Sequence, residues 1–451
     1  MKIITATASI IFAAHLIHAN DFESQRANNW HQWRGPNSNG VATDADPPLE
    51  WNETKNVKWK VELSGLGSSS PVVWGDKIFL TSSIRTERVS DAPIPKREIP
   101  KVELPEGAPE LSIRPVPRNY YKFLVTALDR NTGKKLWEKK VAEEVPHRAH
   151  HKDHGYASSS PTTDGERIYV SFGSVGIFCL NLEGEVEWSR DLADLEVPND
   201  FGEAVTPVLY GDHLVVVMDQ LNQSFIEILD RKTGATAWKK NRVEMASWST
   251  PLVTSFEGRD QVIVCGSHRV ICYDLKTGDA IWACGGLGKA IIPTPVRDKD
   301  LVFCMTGYLG DSLQAIRLDS KGDVTDSDQI VWRTDKGTPY VPSPLLYDGQ
   351  LYFNRKNQGI LTSLKAETGE ALIESTRMPH LSGSIYASPV GAAGRIYFVN
   401  RNGSALVIKH GAEFEVLAKN QLDDVFNATP AIVGNELILR GSKYLYCLSE
   451  E

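Results

Sequence analysis

Beyond its first nineteen residues the chain has no apolar run long enough to cross a membrane as a helix. It has no basic stretch of the kind that tracks a phosphate backbone, and its net charge of −8 points away from nucleic acid as a partner. The short motifs of common chemistries are missing as well. There is no phosphate-cradling P-loop, no G-x-S-x-G elbow, no H-E-x-x-H, no C-x-x-C and no C-x-x-C-H haem attachment. The six cysteines are scattered. Cys179, Cys265, Cys272, Cys304 and Cys447 sit in strand-like runs (IFCL, VIVC, VICY, LVFC, YLYC), where cysteine behaves as a small buried hydrophobe, and Cys284 lies at a strand end. They admit at most one incidental bridge, not a stapled scaffold, which a chain of 451 residues does not need.

The first segment, MKIITATASIIFAAHLIHA, has the form of a cleavable export signal: Lys2, an apolar run from Ile3 to Ile17, and a small residue, Ala19, at the cleavage position. With no cysteine beside that position, no lipid anchor is expected, and the mature protein is expected in the periplasm or outside the cell. The organisation then reads as a leader at 1–19, an N-terminal extension at 20–55 and one large repeat domain at 56–451.

The repeat is the strongest signal. Pro71, Pro161, Pro207, Pro251, Pro295, Pro344, Pro389 and Pro430 each open a short apolar run, and after the first gap they are 41 to 49 residues apart. A period of that length belongs to a propeller or solenoid array. Each repeat divides into four short runs rich in Val, Ile, Tyr and Phe, separated by Gly, Asp and Asn. The segments ALDRNTGKKLW, ILDRKTGATAW and CYDLKTGDAIW place a Thr-Gly turn before the fourth strand and a tryptophan on it. The last repeat runs out after three strands. NVKWKVEL at 56–63, with Trp59 in the tryptophan position, supplies the missing fourth. The fold class expected is all-β: an eight-bladed β-propeller of four-stranded antiparallel blades, its ring closed by an N-terminal strand so that no edge is left unpaired.

The A-L-D-x-x-T-G-x-x-x-W repeat resembles that of pyrroloquinoline-quinone (PQQ)-like propellers. That superfamily contains quinoprotein alcohol dehydrogenases and the propeller lipoprotein of the outer-membrane β-barrel assembly machinery. WHQWRGPNSNG, HHKDHGYASSSP and GTPYVPSPLLYDG are similar to segments of exported bacterial propeller-repeat proteins common in planctomycetes. The resemblance implies the fold over roughly residues 30 to 449 and leaves the activity open. In quinoproteins it would imply an adjacent cysteine pair beside the cofactor, calcium-binding Glu and Asn, and a catalytic Asp. This chain has no adjacent cysteines, so PQQ is possible as a cofactor but not favoured.

In four-stranded blades the loops joining strands two and three share a face with those leading to the next blade. On that face the sequence places a Pro- and charge-rich insertion at 84–119 and the loop AEEVPHRAHHKDHGYA at 142–157. Its His147, His150, His151 and His154, with Asp153, are of the ligand types that hold zinc, copper or iron, at a spacing matching no recognised site. Arg355, Arg401 and Arg440 lie 11, 12 and 10 residues after their blade-opening prolines and are expected to form an arc able to grip a carboxylate, sulfate or phosphate. Tyr308, Asp311, Asp219 and Glu203 are expected on the opposite arc, and Trp248 is a stacking candidate for a planar ligand. The function expected is an exported, monomeric platform for an envelope protein or a small anionic ligand. The alternative is an enzyme, either a divergent quinoprotein oxidoreductase or a metal-assisted one using the histidine cluster.

Overall fold

The computed structural model describes residues 22–93, 110 and 112–450; the leader expected at 1–19 and most of the insertion expected at 84–119 lie outside them. Eight sheets, each built on four antiparallel strands and one of them carrying a short fifth strand, are arranged as the blades of an eight-bladed β-propeller. The inner strands are apolar throughout because both of their faces press on neighbouring blades. Leu301–Thr306 is buried at every position, whereas the outermost strand Thr236–Arg242 leaves exposed positions between covered ones. All six cysteines are buried, free thiols.

The ring closes as the repeat count requires. Ala431–Val433, Glu436–Arg440 and Tyr444–Leu448 make three strands of blade eight, and Val57–Glu62 makes the fourth, antiparallel to Tyr444–Leu448 with Trp59 opposite Cys447. One apolar core therefore joins residues from both ends of the chain, including Trp30, Trp51, Trp59, Val433 and Tyr446.

The D-x-x-T-G-x-x-x-W motif is a docking device between blades. Asp230 accepts hydrogen bonds from the backbone N–H and the hydroxyl of Thr233, both at 2.8 Å, which fixes the turn. Gly234 then takes a left-handed conformation, φ +68°. The tryptophan of the preceding blade lies flat on that glycine and donates its indole N–H to a turn carbonyl: Trp188 to Arg231 at 3.0 Å, Trp59 to Arg130 at 2.8 Å and Trp238 to Leu275 at 2.7 Å. A methyl group on Gly234 would stand 2.7 Å from the Trp188 ring. Gly234→Ala combines that clash with a left-handed alanine and should lower stability by about 2–4 kcal/mol, read as a drop in the urea midpoint. Blade five breaks the rule. Its longer turn places Gly322–Asp323 parallel to Ala280–Cys284 as a fifth strand of blade four, and the Trp282 indole N–H finds no acceptor.

Blade one carries a long inner hairpin, with Lys77–Val89 paired to Asn119–Asp129. The insertion expected at 84–119 is therefore narrower, because residues 84–89 and 119 stay in strands. Its returning arm folds over the exit loop of blade two. The Ser112 N–H donates to Asn199 Oδ1 at 2.7 Å and the Arg114 N–H to Asp200 Oδ2 at 2.8 Å. Asn199 and Asp200 both hold positive φ, 55° and 47°, a strained pair of the sort that persists where a loop has a task.

Candidate functional site

The blades surround a central cavity of about 300 Å³ that opens on the loop face. Its wall is a ring of hydroxyl groups. Each blade-opening proline is preceded by serine or threonine: Ser70, Ser160, Thr206, Thr250, Thr294, Ser343, Ser388 and Thr429. A residue before proline is held extended, and here its N–H donates to the hydroxyl of the next blade. The links run Ser70 to Ser160 at 2.9 Å, Ser160 to Thr206 at 3.1 Å and Thr206 to Thr250 at 3.4 Å. They resume from Thr294 to Ser343 and from Ser343 to Ser388, both at 2.9 Å, then to Thr429 at 3.1 Å and back to Ser70 at 3.1 Å. The hub is thus linked blade to blade except between Thr250 and Thr294, where the Thr294 hydroxyl has no partner. The serine or threonine ahead of every proline was the sequence signal for it, and sequence reasoning passed it over.

The N-terminal extension closes the other end of this cavity. Trp30 pairs with Val73 of blade one, and the His31 carbonyl accepts from Thr163 of blade two. Arg34 then donates to the carbonyls of Pro344 at 2.6 Å and Pro389 at 3.0 Å, on blades six and seven. The chain therefore crosses the hub between these points, and Trp33 lines the cavity there. Arg34 is fully buried; desolvation lowers its pKa to about 9, which leaves it charged at neutral pH.

At the mouth, the histidine loop reaches blades seven and eight through Asp153. Its carboxylate pairs with Arg401 at 3.1 Å and accepts from the Tyr386 hydroxyl at 3.2 Å. Arg401 also donates to Asn427 Oδ1 at 2.8 Å, and Asn427 returns a bond to the Asp153 carbonyl at 2.7 Å. Burial acts to raise the Asp153 carboxyl, but the guanidinium and the phenol outweigh it and hold the pKa below the usual carboxylate range. Arg401→Met should release this tether. Amide exchange across residues 150–155 is expected to accelerate by roughly tenfold or more, since a hydrogen bond to a charged group is worth about 1.5–3 kcal/mol, as read by hydrogen–deuterium exchange.

A second cavity, of about 350 Å³, lies on the same face between blades two and three. Trp248 lines both cavities, and its indole N–H is fixed to the Gly202 carbonyl at 2.8 Å. Glu203 faces the second cavity, accepting from the Ser174 N–H and hydroxyl, each at 2.5 Å. A side chain at Gly173 would occupy the space of that carboxylate. Asp219 also lines it but is committed to Arg242 in a fully buried ion pair, 2.8 Å.

Two expectations about these residues require correction. The histidines do not converge on a metal. His147 donates from Nε2 to the Leu195 carbonyl at 2.9 Å, beside the second cavity, and His150 donates from Nδ1 to the His151 carbonyl at 2.7 Å and packs edge-on against Tyr156. His154 spends Nε2 on the Phe201 carbonyl at 2.5 Å and Nδ1 on the Ser158 hydroxyl at 3.0 Å, and burial lowers its pKa to about 4. His151, Asp153 and His154 line the central cavity, yet no group of three or more His, Cys, Asp or Glu placed to hold a metal ion exists among the described residues. The arginine arc also dissolves. Arg440 is buried at the seam of blades eight and one, donating to the Ser69 and Thr81 carbonyls; Arg401 stands behind Asp153; Arg355 is exposed at the rim. Tyr308 stacks on Tyr340 at 4.8 Å, and Asp311 accepts from the Gly337 N–H at 3.0 Å, so neither joins Asp219 and Glu203.

The chain is similar in structure to a europium-containing methanol dehydrogenase (TM-score 0.62, 9% identity, 96% of this chain and 100% of that one). It is similar also to the quinohemoprotein alcohol dehydrogenase of Comamonas testosteroni (TM-score 0.58, 10% identity, 95% and 82%). These likenesses establish the fold. The quinoprotein cofactor set does not fit the hub: the cysteines are buried in the blades and absent from the hub lining, and the carboxylate at the mouth, Asp153, is already held by Arg401. BamB from Moraxella catarrhalis has a TM-score of 0.54 at 14% identity, covering 82% of this chain and 99% of that one. The Yersinia pestis outer membrane protein assembly factor BamB is 23% identical over 341 residues, 71% of this chain and 78% of its own length. The family model described as outer membrane protein assembly factor BamB matches residues 122–371 and 226–450. Those matches span well over half of the chain, which therefore belongs to the BamB family of PQQ-like β-propellers.

Proposed function

We propose that the protein is an exported interaction platform of the cell envelope, acting on the periplasmic side, whose loop face receives a protein partner. The observation that carries this reading is the continuous assembly on one face: the insertion arm at 112–114 bonded to Asn199 and Asp200, and the histidine loop tethered by Asp153 to Arg401. An insertion held against a strained exit loop builds a wide, fixed relief next to the hub, which suits recognition of a folded surface. Membership of the BamB family supports a role beside other envelope proteins, and the described residues contain no helix long and apolar enough to cross a membrane.

The test is affinity capture from envelope extract with the intact chain and with a variant in which residues 90–118 are replaced by a short Gly-Ser turn. The intact chain should enrich a defined envelope protein and the variant should lose it. Equal enrichment by both would contradict this face as the platform.

A further inference from the structure

The cavity between blades two and three has a lining in which carboxylates outnumber cations. Its walls include Leu195, Val216 and Trp248, and Glu203 is set among them with both oxygens bonded to Ser174 alone. Of the cations at hand, Arg148 in the lining pairs through a terminal nitrogen with Glu196, and Arg242 pairs with Asp219. At the mouth, Glu144, Asp191 and Asp194 are exposed carboxylates. A further group points to a ligand: Ser159 is a residue of the cavity wall, it is 4% exposed, and its buried hydroxyl has no hydrogen-bond partner.

We propose that this cavity binds an organic cation, an ammonium or guanidinium group on an apolar stem, with its head on Glu203 and Ser159 and its stem along Trp248. A carboxylate surrounded by protein without a counter-charge is unfavourable, and an entering cation supplies the pairing that the fold withholds. Burial accordingly pushes the Glu203 carboxyl up, against the two Ser174 bonds and His147 that oppose the shift. The acidic mouth concentrates cations and repels anions, and an indole face adds a cation–π contact. The volume of about 350 Å³ lies within the small-molecule range of roughly 300–1,000 Å³. The ligand sign is the reverse of the anion expected from the sequence. The inference is independent of the platform reading, since amine binding and partner capture can each fail alone.

The same chemistry is offered by a free amine or by a lysine side chain of a partner, and calorimetric titration separates them. Pentylamine, pentanol, pentanoate and a capped Ala-Lys-Ala peptide are titrated into the full chain. Pentylamine or the lysyl peptide should bind and pentanol and pentanoate should not; a tighter amine assigns a free metabolite, a tighter peptide a partner side chain. Glu203→Gln retains an acceptor for the Ser174 N–H and should weaken the cation about tenfold or more. Should that variant fold poorly, the exposed pair Asp191→Asn/Asp194→Asn should weaken binding several-fold and flatten its salt dependence. Binding of pentanol as tight as pentylamine, no binding of either cation, or unchanged affinity in a folded variant overturns the proposal.

Discussion

A chain beginning at residue 64 should fail to form a cooperatively unfolding monomer, and residues 22–63 added as a separate peptide should restore it. Deleting this segment removes the fourth strand of blade eight and leaves Tyr444–Leu448 as an open edge able to pair with another chain. It also removes Trp59 from Gly133, Trp30 and Trp51 from the core that joins the two ends, and the Arg34 bonds between blades six and seven. Each large side chain is worth about 1.5–3 kcal/mol of burial, and the sum competes with a total stability of about 5–15 kcal/mol. Arg34→Met isolates one part of this effect. It leaves the Pro344 and Pro389 carbonyls without their donor and should destabilise by about 3–5 kcal/mol. Size-exclusion chromatography and thermal unfolding read both results. A truncated chain that elutes as a monomer with wild-type Tm would falsify N-terminal closure as a structural requirement.

The second large effect is acid lability. His154 and His31 are buried, and desolvation first of all lowers their pKa values to about 4 and about 3, with Arg26 adding to the effect at His31. Unfolded, each titrates at the ordinary histidine value near 6.5. Between the two values the unfolded chain binds protons that the folded chain refuses, so stability is full above pH 6.5 and falls as pH drops toward 4. At about 1.4 kcal/mol per pKa unit, each contributes a loss on the order of 3 kcal/mol by pH 4, and the loss at His31 continues toward its lower pKa. In urea titrations between pH 7 and pH 4 the wild type should lose more stability than His31→Gln/His154→Gln. Parallel curves for the two proteins would contradict this assignment.

The fold was legible because its signals recur: a proline opens each blade and the Asp-Thr-Gly-Trp device links most neighbours, so even the strand lent by residues 56–63 could be counted. The path of residues 30–42 was not legible. It is irregular, and what fixes it is Arg34 meeting carbonyls more than 300 positions away. The arginine arc did not form because similar offsets from the blade-opening prolines fall at different places in their blades. Arg440 still lies within Glu436–Arg440, while Arg355 and Arg401 lie past the ends of Gln350–Asn354 and Arg395–Val399. The histidine cluster failed because adjacency in a loop without a period does not bring side chains together. Glu203 and Trp248 do line a cavity, and the charge of their neighbours was the signal left unweighed.

The claim at the centre of this account is that the face carrying residues 112–114, 142–157 and 198–203 is the one that meets a partner. Site-specific photo-crosslinking in the native envelope tests it most directly. A crosslinker at Val243, which is 90% exposed after the outermost strand of blade three and so lies on that face, should capture a defined envelope protein. Crosslinkers at Lys134 and Lys276, in the turns of the opposite face, should capture none. Capture from Lys134 or Lys276 with none from Val243 would contradict the account.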